Sequence, residues 1–164
     1  TKDIFTFVAI DTAVVEISSF TKTGDNKDTI KLGVANTLYA TSTDASTAVK
    51  TALGSTTDAA NGLASASVTN GVLTLNGTQA TKDALDTDAE IFAFLKAMVA
   101  ATVGPDAAGK INDTLAYVSG GNTYIVTSDD DTTTFGAETA NSIKLVGVTT
   151  DKLAIASGTD LTLA

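Results

Sequence analysis

The chain has 164 residues, 43% of them hydrophobic, enough for one domain with a real core. Sixteen aspartates and three glutamates stand against ten lysines and no arginine, a net charge of −9, and this excludes a nucleic-acid binder, which needs a basic face to displace counterions from phosphate. Histidine, cysteine and tryptophan are absent, so Ser–His–Asp and Cys–His catalysis, the usual zinc sites and haem or iron–sulfur ligation are excluded, and any metal must be held by oxygen, calcium foremost.

Short apolar runs separated by polar turns open the chain. "DIFTFVAI" (3–10), "AVVEISSF" (13–20) and "DTIKLGV" (28–34) read as three strands, the last after the turn "KTGDNKD". Residues 35–66 form a small polar insertion with one helical option, Asp44 to Leu53, closed by Gly54. In "SVTNGVLTLNG" (67–77), Val72, Leu73 and Leu75 make a strand, and Asn70-Gly71 is a turn pair tolerant of left-handed backbone. The clearest helix spans about 88–103. Thr87 and Glu90 form a capping box, Ile91, Phe94, Leu95, Met98 and Val99 recur at helical spacing, and Gly104-Pro105 ends it. That stripe is read as packing on the domain's own sheet, because the opposite face, with one lysine, Lys96, suits no membrane surface. "LAYV" (115–118), the turn "SGGN" and "TYIVT" (123–127) make a hairpin, "SIKLVGV" (142–148) is a further strand, and "DKLAIASGTDLTLA" adds one or two more.

These elements predict a mainly β fold, β-roll or β-sandwich-like, with one amphipathic helix on the sheet. The expected organisation is a strand-rich segment over 1–34, the insertion over 35–66 and a β-rich unit over 67–164, together one compact body. "DTIKLGV" and "NSIKLVGV" are nearly the same phrase and leave open a diverged repeat. No segment reaches the roughly 18 apolar residues of a membrane-spanning helix, and "TKDIFTFVAID" lacks the basic region and apolar block of a signal peptide. A chain that starts at Thr1 without methionine is expected to be part of a longer protein, with export directed from elsewhere.

The opening "DIFTFVAIDTAVVEISSFTKTGDNKDTIKL" resembles the segment that follows the glycine-rich calcium repeats of proteins exported by type I secretion. The later order, "NGVLTLNG", an alanine-rich helix, "TLAYVSGGNTYIVTSDD" and "SIKLVGV", resembles C-terminal domains of bacterial surface-layer and other repeats-in-toxin-type proteins. The nonapeptide Gly-Gly-x-Gly-x-Asp itself is absent. The resemblance implies that the first segment continues or closes a parallel β-roll, and that "TDLTLA", with Asp160 before a short apolar tail, is similar to a C-terminal secretion signal.

Two acidic stretches are candidate calcium sites. In "TSDDDTTTFGAE", Asp129 and Asp131 keep an i, i+2 spacing and Glu138 follows, although the glycine of an EF-hand loop is missing; the competing reading is a solvated hairpin connection. In "GDNKD", the resemblance implies that Asp25, Asn26 and Asp28 ligate calcium at the end of a roll, against an ordinary Asp/Asn/Gly turn. Asp86 with Asp88 is the weakest sort of carboxylate pair for glycoside hydrolysis, and no enzyme is expected. The leading expectation is a structural domain of a calcium-dependent, secreted bacterial surface protein. It self-associates in a lattice, engages the type I secretion machinery and contacts cell-surface polysaccharide. The alternative is a surface-displayed, adhesin-like module for glycan or protein.

Overall fold

The computed structural model describes residues 1–7, 13–33, 35–54, 62–77, 85–100, 113–128 and 140–164. Over these residues the chain forms eleven strands and two helices. In order they are β1 (Ile4–Thr6), β2 (Val14–Ile17), β3 (Thr29–Lys31), β4 (Thr37–Leu38), α1 (Ser46–Ala52), β5 (Leu63–Thr69), β6 (Val72–Gly77), α2 (Asp88–Ala100), β7 (Asp113–Ser119), β8 (Asn122–Ser128), β9 (Ala140–Leu145), β10 (Leu153–Ala156) and β11 (Asp160–Leu163). The fold is mainly β, as composition and turn spacing predict.

Two mixed sheets carry the strands. The smaller has the order β1-β3-β11-β10; the larger runs β2-β9-β8-β7-β6-β5, with β4 alongside β7. Between them lies a core of Ile17, Phe20, Ile30, Leu32, Ile125, Ile143, Leu145, Leu153 and Leu161. The opposite face of the larger sheet is covered by the helices through a second core that includes Leu115, Tyr124, Val126, Ile91, Phe92, Leu95 and Met98. The order of layers is small sheet, large sheet, helices. A central sheet buried on both faces explains why "TYIVT" reads as a continuous apolar run: Tyr124 and Val126 face the helices, and Ile125 between them faces the small sheet.

Turn chemistry holds the hairpins in register. Asn70 and Gly71 both take positive φ, at 49° and 70°, and join β5 to β6 with Thr69 opposite Val72. This is the two-residue connection that the right-handed strand twist favours. An added Cβ at Gly71 would also stand 3.0 Å from Leu38 Cδ2, a tight contact that the leucine side chain would have to shift to relieve. The hairpin begins earlier than the sequence suggested, since Leu63 and Ala66 in the polar-looking insertion are buried in the helix-side core.

The capping box at the start of α2 is formed. The Thr87 hydroxyl donates to Glu90 Oε2 at 2.6 Å, the Thr87 N–H reaches the same oxygen at 3.1 Å, and the Glu90 N–H donates to Thr87 Oγ1 at 3.3 Å. Ile91, Phe94, Leu95 and Met98 are buried, so the stripe packs on the protein's own sheet. Phe92, outside the stripe read from the sequence, is buried too and meets Tyr124 edge-on at 5.5 Å between ring centroids. Residues 101–112, including the expected stop at Gly104-Pro105, lie outside the described residues.

Strands β1, β2 and β3 have a topology of their own. β1 enters the small sheet, β2 crosses to the large sheet, and β3 returns to the small sheet parallel to β1, with Phe5 opposite Ile30. β9 then lies parallel to β2, with Val15 opposite Ile143. The chain thus completes one turn of a two-sheet parallel coil around the inner core. The two phrases that echo each other in the sequence occupy matching places in it. Ile30 and Ile143 are both fully buried between the sheets, each beside an N-terminal strand running in the same direction.

Candidate functional site

The turn that carries Asp25, Asn26 and Asp28 leads into β3. Gly24 supplies its positive φ of 86°. Asp25 and Asn26 are exposed, whereas Asp28 is turned inward and 1% exposed. Its Oδ1 accepts the Asp3 N–H at 2.8 Å and its Oδ2 the Thr21 N–H at 2.7 Å. One carboxylate thereby ties the entry to β1, the exit from β2 and the start of β3. These backbone donors hold its pKa below the ordinary carboxylate value, against the opposing effect of burial. A calcium ion at this turn would share Asp28 with two main-chain donors and draw its remaining ligands from Asp25, Asn26 and water.

Asp129, Asp131 and Glu138 lie outside the described residues, as does all of the connection between β8 and β9, 129–139. Among the described residues no group of three or more acidic side chains is placed to hold a metal ion. No described helix is long and apolar enough to cross a membrane.

Among the described residues, the most concentrated electrostatic cluster was not singled out from the sequence. Lys144, on β9, donates to Asp88 Oδ2 at the first residue of α2 and to Glu16 Oε1 on β2 at 3.1 Å. The Tyr124 hydroxyl donates to Asp88 Oδ1 at 2.7 Å, and the lysine ammonium stands 5.9 Å from the Tyr124 ring centroid. Asp88, which the sequence offered as half of a carboxylate pair, is therefore the anchor of a helix N-terminus on the sheet. Hydrogen bonds from Lys144 and then Tyr124 lower its pKa. Those to Asp88 and Glu16 raise that of Lys144, and burial, then the bond to Asp88, raises that of Tyr124. Every shift deepens the resting protonation state. A general acid needs a raised carboxyl pKa and a nucleophilic lysine a depressed one, so this cluster is tuned for docking rather than proton transfer. Its one sequence signal was a lysine between two apolar residues, Ile143 and Leu145, in a strand.

Two surface features remain. The first is the open end of the parallel coil. β1 and β2 are the outermost strands of their sheets, Phe5, Phe7 and Val15 are only half-buried there, and Ile4 and Val14 face solvent at 60% and 44% exposure. The second is an open cleft of about 280 Å³ where β6 parts from β7 beyond the pairing of Leu73 with Tyr117. Val72, Leu73, Leu75, Tyr117 and Val118 line it together with the polar Thr69, Thr74, Thr150 and Asp151.

No family model matches the chain, and a search of curated proteins finds no relative.

Proposed function

We propose that this chain is a structural domain of a secreted, calcium-dependent bacterial surface-layer or related repeats-in-toxin-type protein, and that its N-terminal coil abuts a parallel β-roll. The supporting observation is the alternation of β1, β2 and β3 between two sheets, β1 parallel to β3 and β2 parallel to β9, with β1 and β2 each at the edge of its sheet among the described residues. Unpaired parallel edges are costly to leave bare. Another coil of the same kind pairs both edges at once and buries Phe5, Phe7 and Val15. On this reading calcium binds near Asp25, Asn26 and Asp28 and at the acidic connection carrying Asp129, Asp131 and Glu138. The ending that carries Asp160 engages the secretion machinery, and copies associate in a coat at the cell surface.

The test is a thermal melt with light scattering, run in calcium, in magnesium and in chelator. A calcium-specific rise in Tm with particles larger than the monomer is expected, since a ligand bound only by the folded state stabilises it by mass action. Coincident melting curves and a monomeric particle in all three would overturn the reading. A second reading, a surface-displayed module that binds glycan, is favoured by the cleft between β6 and β7.

A further inference from the structure

The edges of the two sheets are not treated alike. At β5, Ser42 and Val68 exchange both main-chain hydrogen bonds at 2.9 Å and the Ala45 N–H donates to the Ala66 carbonyl at 2.7 Å, so residues 42–46 cover that edge. At β10 the Leu153 N–H donates to the Asn70 carbonyl at 3.1 Å. β1 and β2 have no such cover among the described residues. The Asp3 carbonyl accepts from Thr29 and the Phe7 N–H donates to Lys31, so the odd-numbered residues of β1 face β3; the Ile17 carbonyl accepts from Val146, so the odd-numbered residues of β2 face β9. Ile4, Thr6, Val14 and Glu16 therefore turn their main-chain N–H and C=O groups outward, where no described residue meets them.

The devices that keep bare edges apart are missing from both strands. Neither carries a lysine, a proline or a shift of register. Their one charged residue, Glu16, is already compensated by Lys144 of the same chain at 3.1 Å, so it brings no unpaired charge to a neighbour. The two edges belong to one end of the molecule: β1 and β2 flank β3 and β9, while β10, at the far edge of the small sheet, lies against β4. Phe5 and Val15, each between two outward-facing residues, are half-buried against the inner core.

We infer that this end pairs with the same end of a second copy of the chain, across a two-fold axis normal to the sheets. A half-turn about such an axis reverses strand direction within each layer, so β1 meets the second copy's β1 and β2 its β2, both antiparallel. One register uses every outward group: Ile4 opposite Thr6, and Val14 opposite Glu16. It sets Phe5 and Val15 on the axis, each against its counterpart, and closes over the half-buried margin of the inner core. A register centred on Glu16 would instead bring two carboxylates face to face. Head-to-tail pairing of the large sheet has no edge to use, because β5 is covered by the chain's own residues. Strand pairing therefore stops at the dimer.

The pairing rests on the coil reading above and commits the other coil to a second copy, but it needs no calcium, so the two fail separately. Light scattering after size exclusion is run on the 164-residue chain from micromolar to millimolar concentration, in calcium and in chelator. Twice the monomer mass, rising no further, is expected in both. Val14→Pro removes one outward donor from each copy and is expected to weaken the dimer about thirtyfold. The chain has no cysteine, so Val15→Cys is expected to link into a covalent dimer on mild oxidation, while Thr74→Cys, exposed on β6, stays unlinked. The cysteine pair decides the matter even if the proline variant does not fold. A monomer at every concentration, or Val15→Cys that links no faster than Thr74→Cys, overturns the assignment. A calcium-dependent melt of a monomer would sink this pairing and leave the calcium reading, and a dimer with coincident melts would do the reverse.

Discussion

Asp28-Thr29-Ile30-Lys31-Leu32 and Asn141-Ser142-Ile143-Lys144-Leu145 are almost the same five residues placed in different layers. Each puts an isoleucine into the core between the sheets and runs parallel to an N-terminal strand. Their other faces differ. Among the described residues β3 belongs to a sheet covered on one side only, and Lys31 is exposed, in register with Asp160 of β11. β9 belongs to the sheet that also carries the helices, and Lys144, 15% exposed, is drawn into contact with Asp88 and Glu16. The same strand phrase yields a solvating side chain in one sheet and a docking point in the other. The layer above the strand decides the role of its lysine.

The strongest attack on that comparison is at the shared core position. Ile30→Ala and Ile143→Ala should each cost about 4 kcal/mol in urea unfolding, as expected for truncating a fully buried aliphatic side chain. Costs differing by more than about 2 kcal/mol, beyond the usual context spread of such truncations, would break the equivalence of the two strands.

Next is the inward carboxylate. Asp28→Ala should cost about 3 kcal/mol, because it leaves the Asp3 and Thr21 N–H groups without a charged acceptor. The folded-state pKa of Asp28 lies below its unfolded value. Its contribution is therefore complete above the unfolded pKa and is lost as pH falls through the folded pKa. The stability gap between the protein and Asp28→Asn should be constant near neutrality and close in acid. A gap that widens on acidification would contradict the hydrogen-bonding seen at the turn.

A smaller effect sharpens the contrast between the lysines. Lys144→Met should lower Tm, because it leaves Asp88 beneath the helix without its cation, whereas Lys31→Met should leave Tm within error. Added salt should narrow the difference only in part, since Lys144 is shielded from solvent. Equal Tm values would show that the Asp88 cluster contributes nothing to docking α2.

The smallest effect is at Ser142, whose hydroxyl is buried without a hydrogen-bond partner among the described residues. Ser142→Ala should be neutral or stabilising by up to about 1 kcal/mol, as removal of an unsatisfied polar atom relieves its desolvation cost. A loss of more than that in the same unfolding assay would mean that the hydroxyl has a partner.

Elements with a local physical cause were legible in the chain. Asn70-Gly71 turns because both residues tolerate positive φ, and α2 starts at Asp88 because Thr87 and Glu90 satisfy each other's N–H groups. The absence of nitrogen and sulfur metal ligands of the usual kinds and the net negative charge follow from composition alone. Burial of Leu63 and Ala66 was not legible, because alternation among small residues is too weak to separate a strand from a loop. The Asp88–Lys144–Tyr124 cluster was equally hidden, since it joins positions 36 and 56 residues apart. Sequence by itself determined the turns, the cap, the strand phrases and the chemistry available to them, all set by bonds and sterics within a few residues. Only the tertiary structure decided which face of each strand was covered, and so which lysine docks, which carboxylate turns inward and where a cleft stays open, because burial depends on which distant layer comes to lie above a residue.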